Sequence, residues 1–547
     1  MEYSDILLVI SLLILSFGLL KMADLCDKME NVKWKLLWLV PVFVSLIMIV
    51  FSEYDISMVG AYAGAILLML GFFGEKVEFR KRLSAAAMAL TILTVPLCLF
   101  GGMYRRCDYT ANFKDGFKQA KERYVLTKHK NIDWDALYKK YLPKFQEATK
   151  NQDEVANCIA WECFCAEFND GHVGFAVEDE IYDEANDRGA GNDYGLVTME
   201  LSDGRVVALN VDDSLNPYGI HQFTEITSWD GMTVAEAAEK SVLAKMHGYA
   251  DIDNEKFYED MFAAGIGGDS VKVGFIADDG SEKTAELPKL ENSYYDRLEK
   301  TMKTINRSYP AANMTIEKIN DTTACLRMCA MGYDSESDKF GVDYAVMKKQ
   351  IKNDFYAVKE QGVKDLIIDI RGNNGGSGVI VQTIAELLAP EGEHFYANNP
   401  KWDNVNKRYI LDENGDYIID GPTTFKGEDM LNGGKIVILV NSASVSAADH
   451  MTKVMSQFDN VTVMGFTEPN GSAQGVSAIK MKYGAMFLSS SVILDENGGI
   501  FIDSGEDRQS GDDLDIRVPF DEEAVHQLFE DDKDYLLEKA KELLKKQ

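Results

Sequence analysis

Lys435-Ile436-Val437-Ile438-Leu439-Val440-Asn441-Ser442-Ala443-Ser444-Val445-Ser446-Ala447-Ala448-Asp449-His450 is the stretch on which the reading of this chain turns. Ile436–Val440 is a continuous apolar run, the pattern of a strand covered on both faces. Small residues follow, and a helix is expected from about Ala447. A serine at such a junction stands where a helix N-terminus can stabilise a developing negative charge. Ser446 is therefore the candidate nucleophile. Serine is also a favoured helix N-cap, so the stretch alone does not separate the two roles.

Similar runs surround it. Met314–Ile319, Thr323–Met328, Asp365–Ile370 and Val461–Met464 read as strands, and Val342–Glu360 as a helix. This predicts an α/β or α+β core over 300–530, with a charged helix (Asp534–Lys546) in 531–547. Residues 105–185 read as a helical cap. Trp134, Leu137, Tyr138, Tyr141 and Phe145 recur at helical spacing after Asp133, a capping residue. A second helix, about Asp153–Phe168, runs into the turn-forming Asn169-Asp170-Gly171-His172. Residues 190–290 differ: Leu196–Leu201, Arg205–Val211, Val271–Ile276 and Thr284–Leu287 are short alternating runs, interrupted by one helix at about Val234–Met246. They predict a small β-rich module. Gly265-Ile266-Gly267-Gly268 has no Lys-Ser/Thr after it and reads as a turn, not a phosphate loop.

The 547 residues carry a net charge of −32, which argues against a nucleic-acid partner. Four charge-free apolar runs, Ile6–Leu20, Leu36–Ser52, Ser57–Gly74 and Leu83–Met103, predict a four-helix transmembrane region over 1–104. Lys21, Lys28, Lys33 and Lys35, then Lys76, Arg80, Lys81 and Arg82, fill two of the connecting loops. The positive-inside rule then sets the body outside the cytoplasm, on a multi-pass protein of the cell membrane. No charged side chain lies within the runs, which favours an anchor over a transporter. The eight cysteines form no CxxC pair, and no HExxH occurs, so no zinc site is signalled. Neither metal nor cofactor is expected.

Three elements can supply hydrolytic chemistry: Ser446, His172, and the glycine loop Asp369-Ile370-Arg371-Gly372-Asn373-Asn374-Gly375-Gly376. A serine hydroxyl needs a base, most often histidine. Glycines let backbone N–H groups approach a substrate closely. The N–H of Ala447 with that of Gly375 or Gly376 would make an oxyanion hole. His450 is nearest Ser446 in sequence, but a helix from Ala447 directs it away from the cleft.

In order along the chain these residues resemble the serine peptidases that include the tail-specific (C-terminal processing) proteases and the tricorn core protease. Asp170-Gly171-His172 is similar to that family's DGH motif, Leu366–Gly376 to its strand and glycine loop, and Ser446-Ala447-Ala448-Asp449 to its S-x-x-E. Val463-Met464-Gly465 fits the strand that follows, and Asp515-Ile516-Arg517-Val518-Pro519 resembles the closing PDIxVP segment. The resemblance covers roughly 105–530. It implies a PDZ-like module at 190–290, with Tyr194-Gly195-Leu196 as peptide-binding loop and Gly219-Ile220 to Ser228-Trp229-Asp230-Gly231 as its core. PDZ modules take extended peptides by the free C-terminus.

Departures shape the catalytic expectation. Tail-specific members use a lysine base at what is here Gly471, and no lysine follows until Lys480. The tricorn-like branch uses the histidine of the DGH region, so His172 is expected as base. That branch also has a serine beside the histidine, where Gly171 stands, and a later glutamate, for which Glu506 is the candidate and Asp507 the second choice. The expected function is a membrane-anchored serine endopeptidase acting on extracytoplasmic polypeptides, possessing a Ser446 acyl-enzyme and using no cofactor. The alternative is a catalytically inactive peptidase fold that binds or senses peptides.

Overall fold

The computed structural model describes residues 107–307, 314–332, 344–510 and 514–546. Residues 109–547 belong to one compact unit, and the elements below lie in it.

At its centre is a six-stranded sheet. Strands β7 (Thr315–Lys318), β8 (Thr323–Arg327), β9 (Asp365–Asp369), β14 (Ile436–Leu439), β15 (Val461–Gly465) and β18 (Ile516–Arg517) lie in the order β18-β15-β14-β9-β8-β7. All neighbours pair in parallel except β7 with β8. Leu366, Ile368, Ile436, Ile438 and Val463 share one core with residues of the crossover helices. The alternate residues Ile367, Val437, Leu439 and Met464 are equally buried. Burial on both faces is why these strands read as unbroken apolar runs.

The helical cap holds α1 (Tyr109–Arg123), α2 (Trp134–Asn151) and α3 (Glu154–Ala166). Asp133 caps α2 and Asp153 caps α3 through their carboxylates. Phe113 stacks on Phe145 (4.2 Å between centroids), and Phe117, Trp161 and Phe164 fill the space around them. Strand β1 (Gly174–Ala176) follows, and its Phe175 stacks on Trp161 (5.3 Å). Helix α4 (Asp179–Ala190) leads to the next region.

There β2 (Val197–Glu200) pairs with β3 (Val206–Leu209), and β4 (Ile226–Trp229), β5 (Ser270–Ile276) and β6 (Glu282–Pro288) form an antiparallel sheet. The single helix expected at 234–246 is two: α5 (Val234–Ala238) and α6 (Val242–Met246). Ser241 breaks it, because its side chain caps the second helix by accepting from the Ala244 N–H. Helices α7 (Ile252–Tyr258) and α8 (Tyr294–Asn306) complete this part.

Helices α9 (Tyr344–Glu360) and α10 (Gly378–Leu388) precede a long ribbon of β10 (Gly392–Pro400) and β13 (Ile419–Gly427), tipped by β11 (Trp402–Asp403) and β12 (Arg408–Tyr409). Helix α11 (Ala447–Ser456) joins β14 to β15. Strands β16 (Gly475–Met481) and β17 (Gly484–Ser491) form a second sheet with β1. Helices α12 (Glu522–Phe529) and α13 (Tyr535–Lys546) follow β18, and α13 packs against β14 and β15.

Among the described residues no helix is long and apolar enough to cross a membrane. The expected four-helix transmembrane region and multi-pass membrane location are corrected on that finding. Helix α10, the most apolar of the described helices, is 11 residues long and packs into the core, against the roughly 20 a span needs. The four apolar runs themselves lie in 1–106, outside the described residues.

Candidate active site

Ser446 sits where β14 turns sharply into α11. Its φ and ψ are 66° and −116°, a conformation a side-chain-bearing residue rarely takes. Such strain costs about 1–3 kcal/mol and persists only where the surroundings enforce it. Here they do. The Ser446 N–H is shared between Asp449 Oδ2 (2.8 Å) and the Ser472 carbonyl (2.8 Å). Its carbonyl accepts the His450 N–H (3.0 Å), and the Val445 N–H is donated to Asn373 O (3.0 Å). Asp449, wholly buried, also accepts from the Gly471 (2.9 Å) and Ser472 (3.3 Å) N–H groups. One carboxylate thus ties the serine turn to the 471–472 loop. A strand-to-helix turn of this sharpness pushes a serine Oγ outward, and Ser446 keeps partial exposure.

The glycine loop presses against this turn. A Cβ on Gly375 (φ +83°) would fall 2.5 Å from Ser446 Cβ and 3.0 Å from Ala447 N, so only glycine fits. The Gly375 N–H is donated to Asn373 Oδ1 (2.9 Å). Those of Gly376 and Ala447 carry no hydrogen bond among the described residues. Of the two glycines, Gly376 is the one with a free donor. The loop is anchored beneath by a buried ion triad, in which Arg371 joins Asp369 (2.6 Å) and Asp534 (2.7 Å) at the start of α13.

His172 lies on the turn between α3 and β1. Asp170 Oδ1 accepts the His172 N–H (2.9 Å), and Asp170 Oδ2 accepts from Tyr124 Oη and Ser489 Oγ (2.9 Å each). The Gly171 N–H is donated to Ser472 Oγ (2.8 Å). Ser472 therefore touches both turns: its hydroxyl holds the histidine turn and its carbonyl holds Ser446. A Cβ on Gly171 would collide with the Asn470 side chain, so a serine there would require that side chain to move. The His172 ring is 8% exposed, and both its nitrogens are without a partner, Ser446 Oγ included. Burial holds it below the usual imidazole range, with Lys130 adding to the effect and Asp170 opposing it. A base must be neutral to accept a proton, and this environment keeps it so.

Glu506 is exposed and bonded to Asn131 (3.1 Å), and Asp507 is exposed too. The carboxylate that reaches the site region is Asp503, unnamed in the sequence reading. It is buried, and its Oδ2 accepts from the Ala473 N–H (3.1 Å) and Gln474 Nε2 (2.9 Å). Burial, then the charge of Asp170, pushes its pKa up to about 8. Ile502 before it holds φ at 64°, an outlier for a β-branched residue. An acid directly after the apolar run Ile500-Phe501-Ile502 was the signal available. His450 packs between Tyr396 (4.4 Å) and Phe501 (4.8 Å), and burial lowers its pKa to about 4, the profile of a core residue.

Tyr194 and Leu196 are fully buried. Tyr194 Oη donates to Gly268 O (2.7 Å), and the Gly195 N–H is donated to Asp193 Oδ1 (2.9 Å). That loop presents no free N–H at Gly195 to a peptide carboxylate. Among the described residues Asp251, Asp253 and Glu468 are close enough to share a cation. Arg517 already pairs with two of them, at 3.3 and 2.6 Å.

Residues 324–505 match the model of Peptidase family S41, and 106–159 match that of the Tricorn protease C1 domain. No curated protein matches. Among solved structures, mature CPAF complexed with lactacystin aligns with a TM-score of 0.50 at 13% identity, covering 80% of this chain and 98% of that one. The photosystem II D1 C-terminal processing protease aligns at 0.32 and 16% identity, over 77% of this chain and 97% of its own. The tricorn protease aligns at 0.35 and 14%, over 80% and 37%.

Proposed function

We propose that this chain, a serine-type peptidase acting on polypeptides, works through a Ser446 acyl-enzyme with His172 as general base. The observation that carries the reading is the strained Ser446 turn with Gly375 pressed against it and the Ala447 N–H left free beside it. Ser446 Oγ attacks the scissile carbonyl while His172 takes its proton. The N–H groups of Ala447 and Gly376 stabilise the oxyanion. His172 then gives the proton to the leaving amine, and water releases the acyl group by the same route. Asp170 supplies the buried negative charge on the base side of the site, and Asp503, its pKa pushed up to about 8, stands beside it mostly protonated at neutral pH.

The division into a helical cap (105–185), a PDZ-like module (190–290), a peptidase core (300–530) and a closing helix (531–547) belongs to the same reading. Extended peptides are its natural substrate. Recognition of a free C-terminus at Tyr194-Gly195-Leu196 requires that loop to open, because Asp193 holds the Gly195 N–H.

Casein turnover by the full chain tests the assignment. Ser446→Ala should abolish it, and unchanged cleavage would sink the nucleophile. A second reading, a peptide binder without catalysis, draws on the unpartnered His172 ring. Fluorophosphonate labelling that needs both Ser446 and His172 supports the enzyme. Peptide binding without labelling supports the binder.

A further inference from the structure

The segment between α1 and α2 reaches both loops that flank the serine turn. Tyr124 bonds Asp170, and His129 Nε2 lies 2.8 Å from Asp503 O. Lys130 Nζ donates to Asn169 O (2.7 Å) and to Ser504 Oγ (2.9 Å). Lys130 thereby bridges the residue just before Asp170-Gly171-His172 and the residue just after Asp503. It is the buried cation of this segment, 8% exposed, whereas Lys128 is exposed and turned to Asp416.

Both acceptors of Lys130 are neutral. Removing an ammonium from water costs several kcal/mol, and a carbonyl and a hydroxyl could be served by an uncharged donor. The charge therefore needs a reason beyond hydrogen bonding. The charged groups acting on Lys130 are Asp170, Asp503 and Arg508. Those acting on the His172 ring are Asp170, which favours imidazolium, and Lys130, which opposes it. Tyr124 faces the same cluster through Asp170.

We propose that Lys130 is a positioning residue of the catalytic site, whose buried ammonium braces the His172 and Asp503 loops together and holds the His172 imidazole neutral. This rests on His172 as the base. The lysine acts through the histidine and touches neither substrate nor Ser446. Asp170 orients the histidine turn but pulls its ring toward the charged form; burial opposes that pull most, and Lys130 adds to the opposition.

The test uses the full chain and a fluorogenic peptide. Lys130→Gln keeps a donor and loses the charge; Lys130→Arg keeps both. The acid limb of kcat/KM should move up by about one pH unit in Lys130→Gln, with KM within twofold, and return in Lys130→Arg. An unmoved limb, or an arginine variant no better than the glutamine one, overturns the proposal. Histidine-selective NMR of the parent and of Lys130→Gln reads the ring directly. His172 should titrate below about 6.5 in the parent and higher in the variant. A parent ring titrating at or above that value overturns the proposal even if Lys130→Gln does not fold. The NMR reading needs no turnover, so it separates this failure from failure of the Ser446–His172 assignment.

Discussion

The two turns that meet at Ser472 are held in opposite ways. The Ser446 turn is strained in its backbone and saturated in its hydrogen bonds, with Asp449, Ser472, Asn373 and Gly375 leaving it one conformation. In the His172 turn only Asn169 takes a left-handed φ (45°), and the His172 N–H is satisfied by Asp170, yet the His172 ring is buried with neither nitrogen engaged. Ser446, the proposed nucleophile, is held on every side before any substrate arrives. His172, the proposed base, is held by its main chain, while its ring nitrogens have no partner. Catalytic hydrogen bonds often tighten only in the bound complex, and the difference between the turns says which half of the pair has to move.

Substitutions at five positions should break or sharpen this contrast. The largest effect belongs to Gly375→Ala. The added methyl has no room against Ser446 and sits at a φ that disfavours it, so about 2–3 kcal/mol of stability should go. Peptidase turnover should fall about 100-fold, because a misplaced nucleophile costs that much. Urea melts and casein assays read both; a neutral outcome would mean the turn is not rigid.

His450→Phe tests the opposite assumption, that the histidine one helical turn from Ser446 is only core. Burial lowers its pKa to about 4, from the ordinary imidazole value of about 6.5. On acidification the unfolded chain takes up this proton first, so stability present above pH 6.5 is lost as pH falls toward 4. The loss amounts to about 3 kcal/mol. The variant should keep turnover at pH 8 and lose stability less steeply than the parent between pH 6.5 and 4.

Asp503→Asn should lower kcat about tenfold, whereas Glu506→Gln should stay within twofold. Equal effects would return the third carboxylate to Glu506. The smallest change expected is in Ser446→Gly, which relieves the strain at φ 66°. It should be more stable than Ser446→Ala by about 1 kcal/mol, read from paired melts. A matched pair would show that the turn stores no strain.

Much of this was legible before the fold was seen, and particular residues show why. Strands β9, β14 and β15 are buried on both faces, so Leu366–Ile368, Ile436–Leu439 and Val461–Met464 announce themselves as apolar runs. Asp133 and Asp153 fix helix starts through local chemistry that needs no tertiary context. The ribbon of β10 and β13 was not legible, because Gly392–Pro400 is mostly half-exposed and carries polar residues without alternation. Ser446, His172 and Gly376 were nameable as candidates from order along the chain. Asp503 was not, since its role depends on burial beside Asp170 and Lys130, which come from segments hundreds of residues away. Lys130 escaped for the same reason.

The Arg371 triad carries a consequence for biosynthesis. Chains emerge N-terminus first, so Ser446 leaves the ribosome well before Asp534. Until Asp534 arrives, Arg371 under the glycine loop has only Asp369 for company, and stripping one partner from a buried ion cluster costs about 3–5 kcal/mol. A chain lacking α13 therefore holds the glycine loop beside Ser446 less firmly, and the order of synthesis makes the docking of the segment beyond 530 the last step in bracing that loop.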